Sequence, residues 1–175
     1  MNRLLKMIPL VVAVSIVGGC GPNKPGEWQE YRPEGAGFKC TFPGLPAYST
    51  AMTVHGTTLH TYLCEYPANS YGIAYADVAD LDRMAKAELE KWLDDSVSGA
   101  VKVVGKLKKA RAVTLMNRYP GRSCEFDTPE AGIISRCRFY AVGKQFYQMI
   151  VTGNTAFVNS PESNAFLDSL IVVTQ

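Results

Sequence analysis

Alternation of apolar and polar residues dominates the sequence and predicts a protein built largely of β-strands. A strand is predicted at 38–42, with Phe38, Cys40 and Phe42 on one side. A hairpin is predicted from 49–54 and 57–66, with its turn at His55-Gly56. The same alternation predicts further strands at 71–78, 106–115, 122–128, 133–142, 145–152 and 171–173. We expect about six to eight of these segments to join in one sheet.

The hydrophobic period changes to three and four residues in one long stretch, which predicts an amphipathic helix. The apolar positions of that stretch are Leu81, Met84, Ala85, Leu89, Trp92, Leu93, Val97 and Ala100. We expect a cap near Asp80 and an end close to Gly99. Ser160-Pro161 predicts the start of a second, short helix ending near Leu170. Hairpins interrupted by helices favour an α+β fold, an antiparallel sheet with one long and one short helix packed on it.

The amino-terminal segment has the layout of an export signal. Arg3 and Lys6 precede an apolar run, 7–17, that is shorter than the ~20 residues of a membrane-spanning helix. The run ends in Gly18-Gly19-Cys20, which resembles the lipobox of bacterial lipoproteins. That resemblance implies removal of 1–19 and diacylation of Cys20, with the protein exported and lipid-anchored to a bacterial membrane. The alternative is an ordinary signal peptide followed by a chance cysteine.

The predicted organisation has a signal peptide at 1–19, a tether at 20–36 and one domain at 37–175. The tether is rich in Pro and Gly, and the domain would lie in the periplasm or at the cell surface. Without 1–19 the chain has 16 basic and 16 acidic residues, so it is neutral. A neutral chain gives no electrostatic case for binding nucleic acid.

Cysteine count and hairpin register together predict two disulfides. Beyond Cys20, four cysteines remain in a compartment expected to be oxidising. If the hairpin 122–128 with 133–142 turns over 129–132, Cys124 lies opposite Cys137 at a separation that suits a disulfide. Elimination then leaves Cys40 with Cys64.

The sequence contains no recognisable catalytic or metal-binding motif. His55 and His60 lack ligand spacing, and Asp94-Asp95 fall on the polar side of the long helix, where solvated charge is the usual role. Phosphate-binding loops, nucleophile motifs and Cys-x-x-Cys pairs are missing from the sequence. We therefore predict no catalytic residue, no metal and no cofactor, and interpret the protein as not an enzyme.

Two groups of residues are candidates for a binding face. The first is basic, and its members are Lys106, Lys108, Lys109 and Arg111, with Lys102 nearby. These residues suit lipid headgroups or an acidic partner, although lysines also protect edge strands from unwanted pairing. The second is aromatic, and its members are His60, Tyr62, Tyr66, Tyr71 and Tyr75. Core packing beneath a helix explains the same spacing.

Several short motifs resemble a group of uncharacterised bacterial lipoproteins best known from planctomycete-type genomes. They are Trp28, Tyr31, Gly37-Phe38, Phe42-Pro43-Gly44-Leu45-Pro46, Tyr119-Pro120-Gly121-Arg122 and Phe166-Leu167-Asp168-Ser169. Those proteins are in turn similar to the wider PsbP-like and DcrB-like fold. The resemblance implies a non-catalytic domain working beside larger membrane or envelope assemblies.

The functional hypothesis from sequence is a membrane-anchored binding or accessory module for an envelope protein or component. A small-ligand carrier with an aromatic pocket is the alternative, and an enzyme of unknown class comes third. A closed apolar cavity would favour the carrier, whereas a flat exposed patch would favour a macromolecular partner.

Overall fold

Ten strands and three helices make up the part of the chain that the structure describes. A computed structural model describes residues 26–52 and 56–173. The strands are β1 (Trp28–Tyr31), β2 (Phe38–Pro43), β3 (Ala47–Met52), β4 (Thr58–Tyr66), β5 (Asn69–Asp77), β6 (Lys106–Leu115), β7 (Tyr119–Asp127), β8 (Ile133–Val142), β9 (Gln145–Asn154) and β10 (Ile171–Val172). The helices are α1 (Lys86–Val103), α2 (Thr155–Val158) and α3 (Pro161–Asp168). The predicted signal peptide, Cys20 and His55 lie outside the described residues.

A seven-stranded antiparallel sheet forms the centre of the fold. Its order is β3-β4-β5-β9-β8-β7-β6, so β3 and β6 are the two edge strands. Most neighbours are hairpins close in sequence, but β5 pairs with β9 across the intervening helix and hairpins. The predicted α+β class with an antiparallel sheet is confirmed.

The central sheet is covered on both faces. Successive strand residues point to opposite faces, and in β9 the buried side chains separate accordingly. Tyr147, Met149 and Val151 belong to one core cluster, and Phe146 and Ile150 belong to the other. The first face, called here the front face, packs against the small sheet β1-β2-β10 and helix α3, and the back face packs against α1.

The small sheet extends into the segment assigned to the tether. β1 pairs antiparallel with β2, with Trp28 opposite Pro43 and Tyr31 opposite Cys40. The rings of Trp28 and Tyr31 pack against the front-face core, which gives this short strand apolar burial. The folded part therefore begins within 20–36, earlier than the predicted domain start at residue 37.

The long helix begins later and ends later than its periodicity predicts. Asp80 has a left-handed φ of 63°, Leu81–Arg83 form a separate 3-10 turn, and Met84 and Ala85 are extended. Leu81 and Met84 nevertheless pack in the same back-face core as the helix, so the pattern marked the correct buried face. At the other end α1 continues past Gly99 to Val103, because Ala100 is buried against the sheet and prolongs the contact.

The predicted register of the cysteine hairpin is confirmed, but neither predicted disulfide is formed in the structure. Cys124 lies opposite Cys137 in the β7–β8 ladder. Both residues, like Cys40 and Cys64, are buried free thiols. Each thiol packs within an apolar core as a small hydrophobic side chain.

Candidate functional site: a basic sheet edge and an aromatic ladder

The basic residues of β6 are gathered on one face of the sheet by a β-bulge. Opposite β7, Lys106 pairs with Asp127 and Leu107 with Phe126, after which the register shifts and Lys109 pairs with Glu125. Without that shift, alternation would place Lys106 and Lys109 on opposite faces. With it, Lys106, Lys109 and Arg111 share the face of Glu125 and Asp127. We call Lys106, Lys108, Lys109 and Arg111 the basic edge.

Ion pairs neutralise only part of the basic edge. Lys108 Nζ lies 3.3 Å from Glu125 Oε1 and 3.4 Å from Asp127 Oδ1, and these carboxylates raise the pKa of Lys108. Lys106, Lys109 and Arg111 are exposed and have no carboxylate within ion-pair distance among the described residues. The basic edge therefore presents a net positive surface to solvent.

One arginine, Arg136 of β8, lies inward from the basic edge, whereas its neighbour Arg138 is paired with Asp168. In the ladder, Glu125 lies between Lys109 of β6 and Arg136 of β8. Burial, followed by the nearby Arg138 charge, lowers the pKa of Arg136. Arg136 donates hydrogen bonds to the Val158 carbonyl at 3.1 Å and to Asn164 Oδ1 at 2.9 Å, so this cation is held in place by the α2–α3 region.

An aromatic ladder runs across the front face from the β3 edge to the sheet centre. It consists of Tyr48, His60, Tyr75 and Tyr147. The Tyr48 hydroxyl and His60 Nδ1 share a 2.8 Å hydrogen bond, and the His60 ring stacks on Tyr75 with centroids 4.6 Å apart. Tyr75 is 5.9 Å from Tyr147, whose hydroxyl donates to Gln145 Oε1 at 2.5 Å. Tyr48 is 53% exposed and Tyr147 is fully buried, so the ladder connects surface and core.

The predicted aromatic face divides into a surface part and a core part. Tyr62, Tyr66 and Tyr71 are buried, and burial raises the pKa of each phenol. The Tyr66 hydroxyl donates to the Pro43 carbonyl and so ties the central sheet to β2. These three tyrosines are core residues, because the small sheet and α3 cover the front face there. His60 and Tyr75 are half-buried at the margin of that cover.

Tyr48 is the residue of the aromatic ladder that sequence reasoning missed. The strand was predicted to begin at Ser49, whereas β3 begins at Ala47 and places Tyr48 opposite Tyr62. The hairpin could have revealed Tyr48, because extending the pairing of β3 with β4 by two residues brings Tyr48 beside His60 and Tyr62.

Within 26–52 and 56–173, no group of three His, Cys, Asp or Glu side chains is placed to hold a metal ion. Asp94 and Asp95 do not act as a pair, since Asp94 binds Arg122 and Asp95 binds Lys91. A cleft of about 340 Å³ is lined by Arg32, Glu34, Phe38 and Val173. The Phe38 ring packs edge-on against Tyr62, Tyr75 and Tyr147. Over the same ranges, no helix is long and apolar enough to cross a membrane.

Comparison with solved structures defines the fold class. The solution structure of cyanobacterial PsbP (CyanoP) from Synechocystis sp. PCC 6803 matches 89% of this chain and 98% of its own, with a TM-score of 0.56 and 12% identity. A Pseudomonas aeruginosa protein of unknown function, PA94, described as a putative regulator, matches 86% of this chain and 100% of its own, with a TM-score of 0.50 and 13% identity.

A third solved structure, from Bacteroides thetaiotaomicron VPI-5482, matches 87% of this chain but only 50% of its own, with a TM-score of 0.50 and 14% identity. No protein-family model matches the sequence, and no curated protein matches it either. The chain has a PsbP-like α+β fold. None of the three descriptions names a catalytic activity.

Proposed function

We propose that this protein is an exported, lipid-anchored binding module that holds its basic edge against an acidic surface of an envelope protein. The observation that carries the proposal is the β-bulge of β6, which places Lys106, Lys109 and Arg111 together on one exposed face. Charge and a bulge both protect an edge strand from pairing, but that protection does not require the cations to share one face. Three cations on one face form a surface that complements clustered carboxylates.

Membrane attachment is the other half of the proposal and depends on Cys20. The wild-type protein should fractionate with membranes and incorporate labelled fatty acid, and Cys20→Ser should abolish both. Equal membrane association of the two proteins would contradict the anchor.

Charge reversal tests the partner surface. In-cell crosslinking of the wild-type protein should recover a defined envelope protein that Lys106→Glu/Lys109→Glu/Arg111→Glu no longer recovers. The matched control reverses three exposed cations elsewhere, Lys86→Glu/Arg118→Glu/Lys144→Glu, and should crosslink as the wild type does.

Flotation with vesicles separates a protein partner from a lipid surface. Binding to anionic but not zwitterionic vesicles, lost in the basic-edge variant alone, would assign the surface to lipid headgroups and contradict the protein partner. Equal loss of crosslinking in both charge variants would show that the basic edge has no special role.

A further inference from the structure

The two edges of the central sheet differ sharply in how they are protected against strand pairing. β6 combines cations with a bulge, two features that discourage another strand from adding to an edge. β3 has neither. Its register with β4 runs without a shift from Ala47 opposite Leu63 to Met52 opposite Thr58, and it contains no charged residue and no proline.

The absence of charge extends well beyond β3. No Asp, Glu, Lys or Arg occurs anywhere from Thr41 to Cys64, although 19% of all residues are charged. All six residues of β3 are exposed, and they include Tyr48 at 53% and Met52 at 74% exposure. A regular, uncharged and partly apolar edge strand is open to pairing through its backbone.

We propose that β3 pairs antiparallel with β3 of a second copy of this chain and joins the two central sheets across a two-fold axis. Such an axis, perpendicular to the sheet, keeps the front faces of both copies on the same side. In this arrangement, residues that lie opposite each other point to the same face of the joined sheet. The two-fold axis therefore passes through the position of one residue of β3, and that residue lies opposite its own copy.

Among the possible registers, the one centred on Thr50 best matches the exposed side chains. It places Thr50 opposite Thr50, and Tyr48 of each copy opposite Met52 of the other. These are the two large exposed apolar residues of β3, and pairing covers both on the front face. A register centred on Ser49 would instead set Tyr48 against Thr50 and Met52 against Pro46.

Electrostatics favours a second copy over an unrelated strand. A charged strand would find no opposite charge between Thr41 and Cys64, whereas two copies of this edge bring no like charges together. The basic edge, with four cations, would repel its own copy.

Six residues a side form a small contact compared with the roughly 1,200 Å² of a stable interface, so the dimer should be reversible. It leaves the basic edge free on the far side of each sheet.

Cysteine crosslinking tests both the dimer and its register in the full chain. Thr50→Cys places two thiols opposite each other at a separation that suits a disulfide, and mild oxidation should yield a covalent dimer on a non-reducing gel. Thr114→Cys, an exposed threonine on β6, is the matched control and should stay monomeric. The native thiols at 40, 64, 124 and 137 are buried and compete little, and Cys20 is replaced by Ser in both variants.

Sedimentation equilibrium provides the second measurement. Thr50→Lys, which sets two cations against each other at the axis, should abolish a concentration-dependent dimer that Thr114→Lys retains. Circular dichroism should show both variants folded, since both positions are exposed. Equal crosslinking of both cysteine variants, no crosslinking of either, or a dimer persisting in Thr50→Lys would overturn the proposal.

Discussion

Arg122 of β7 donates a 2.6 Å hydrogen bond to Asp94 of α1 and thereby fixes the long helix to the back face of the sheet. The same guanidinium lies 2.7 Å from Glu90 Oε2 and donates to the Glu90 backbone carbonyl at 3.1 Å. The arginine side chain is only 9% exposed, while the two carboxylates remain partly in solvent. One buried cation therefore holds two successive turns of the helix.

Removing this cation should destabilise the fold. Arg122→Met loses charge-assisted hydrogen bonds, and we expect the free energy of unfolding to fall by about 2 kcal/mol in urea denaturation. Arg83→Met is the matched control, because the ion pair between Arg83 and Asp80 is solvent-exposed. This substitution should lower the free energy of unfolding by less than about 1 kcal/mol. Equal losses in the two variants would contradict the bracing role of Arg122.

The Asp94 carboxylate should make stability depend on acid pH. The hydrogen bond from Arg122 lowers the pKa of Asp94 in the folded state. The ionised Asp94 carboxylate therefore stabilises the folded protein fully above the unfolded pKa of about 3.9. This stabilisation is lost as pH falls through the lower pKa of the folded state. Because the side chain is 63% exposed, Asp94→Asn should cost less than about 1 kcal/mol at pH 7.

A double-mutant cycle isolates that effect. The difference in unfolding free energy between the wild type and Asp94→Asn should shrink below pH about 4, and in an Arg122→Met background it should be small at every pH. A pH-dependent difference that persists without Arg122 would assign the effect to another group.

Gly121 should tolerate no side chain. A Cβ there would lie 2.3 Å from the Phe139 carbonyl oxygen and 2.4 Å from Tyr140 Cδ1, so the β7–β8 backbone would have to move. We expect Gly121→Ala to lower the free energy of unfolding by about 3 kcal/mol or more, measured by denaturant titration. Gly26→Ala, whose Cβ would meet nothing closer than 3.7 Å, should stay within about 0.5 kcal/mol of the wild type.

The cysteine hairpin should form a disulfide only while the protein folds. Burial raises the pKa of Cys124 to about 12 and raises that of Cys137 well above its usual value, so the folded thiols are poor nucleophiles. Oxidised glutathione present during refolding should link Cys124 to Cys137, because the register sets them opposite each other. The same reagent added to the folded, reduced protein should not link Cys124 to Cys137.

Non-reducing peptide mapping checks both arms of that experiment. Recovery of alkylated Cys124 and Cys137 after oxidative refolding would rule out the predicted disulfide. Rapid linkage in the folded protein would contradict the burial of the thiols. Cys124→Ser, refolded in the same way, controls for mispairing with Cys40 or Cys64.

Local pattern predicted most of the strands because each hairpin carries its own alternation and turn. The β7–β8 register followed from the turn at 129–132 and proved correct to the residue. β1 escaped prediction, since four residues in a Pro- and Gly-rich segment show no period. Its pairing with β2 and the packing of Trp28 and Tyr31 on the front-face core depend on residues distant in the chain. The boundaries of α1 also escaped, because the left-handed Asp80 and the covering of Ala100 depend on the sheet beneath them.

The candidate site was less predictable than the fold. Sequence located the cations of β6 and the tyrosines of β4 and β5, yet spacing alone could not tell which tyrosines the small sheet would cover. The bulge at Lys108 likewise changes which face each cation occupies, and it is visible only in the pairing with β7.

The amino-acid sequence by itself determined the α+β class, the hairpins and the facing of Cys124 and Cys137, because these depend on neighbouring residues and on the two-residue repeat of a strand. Tertiary structure alone decided that Tyr66 and Tyr71 are core and that Tyr48 is surface. It also made β3 and β6 the two edges of one sheet. Those outcomes depend on contacts between residues far apart in the chain, and no local pattern records which distant strand will lie beside a given one.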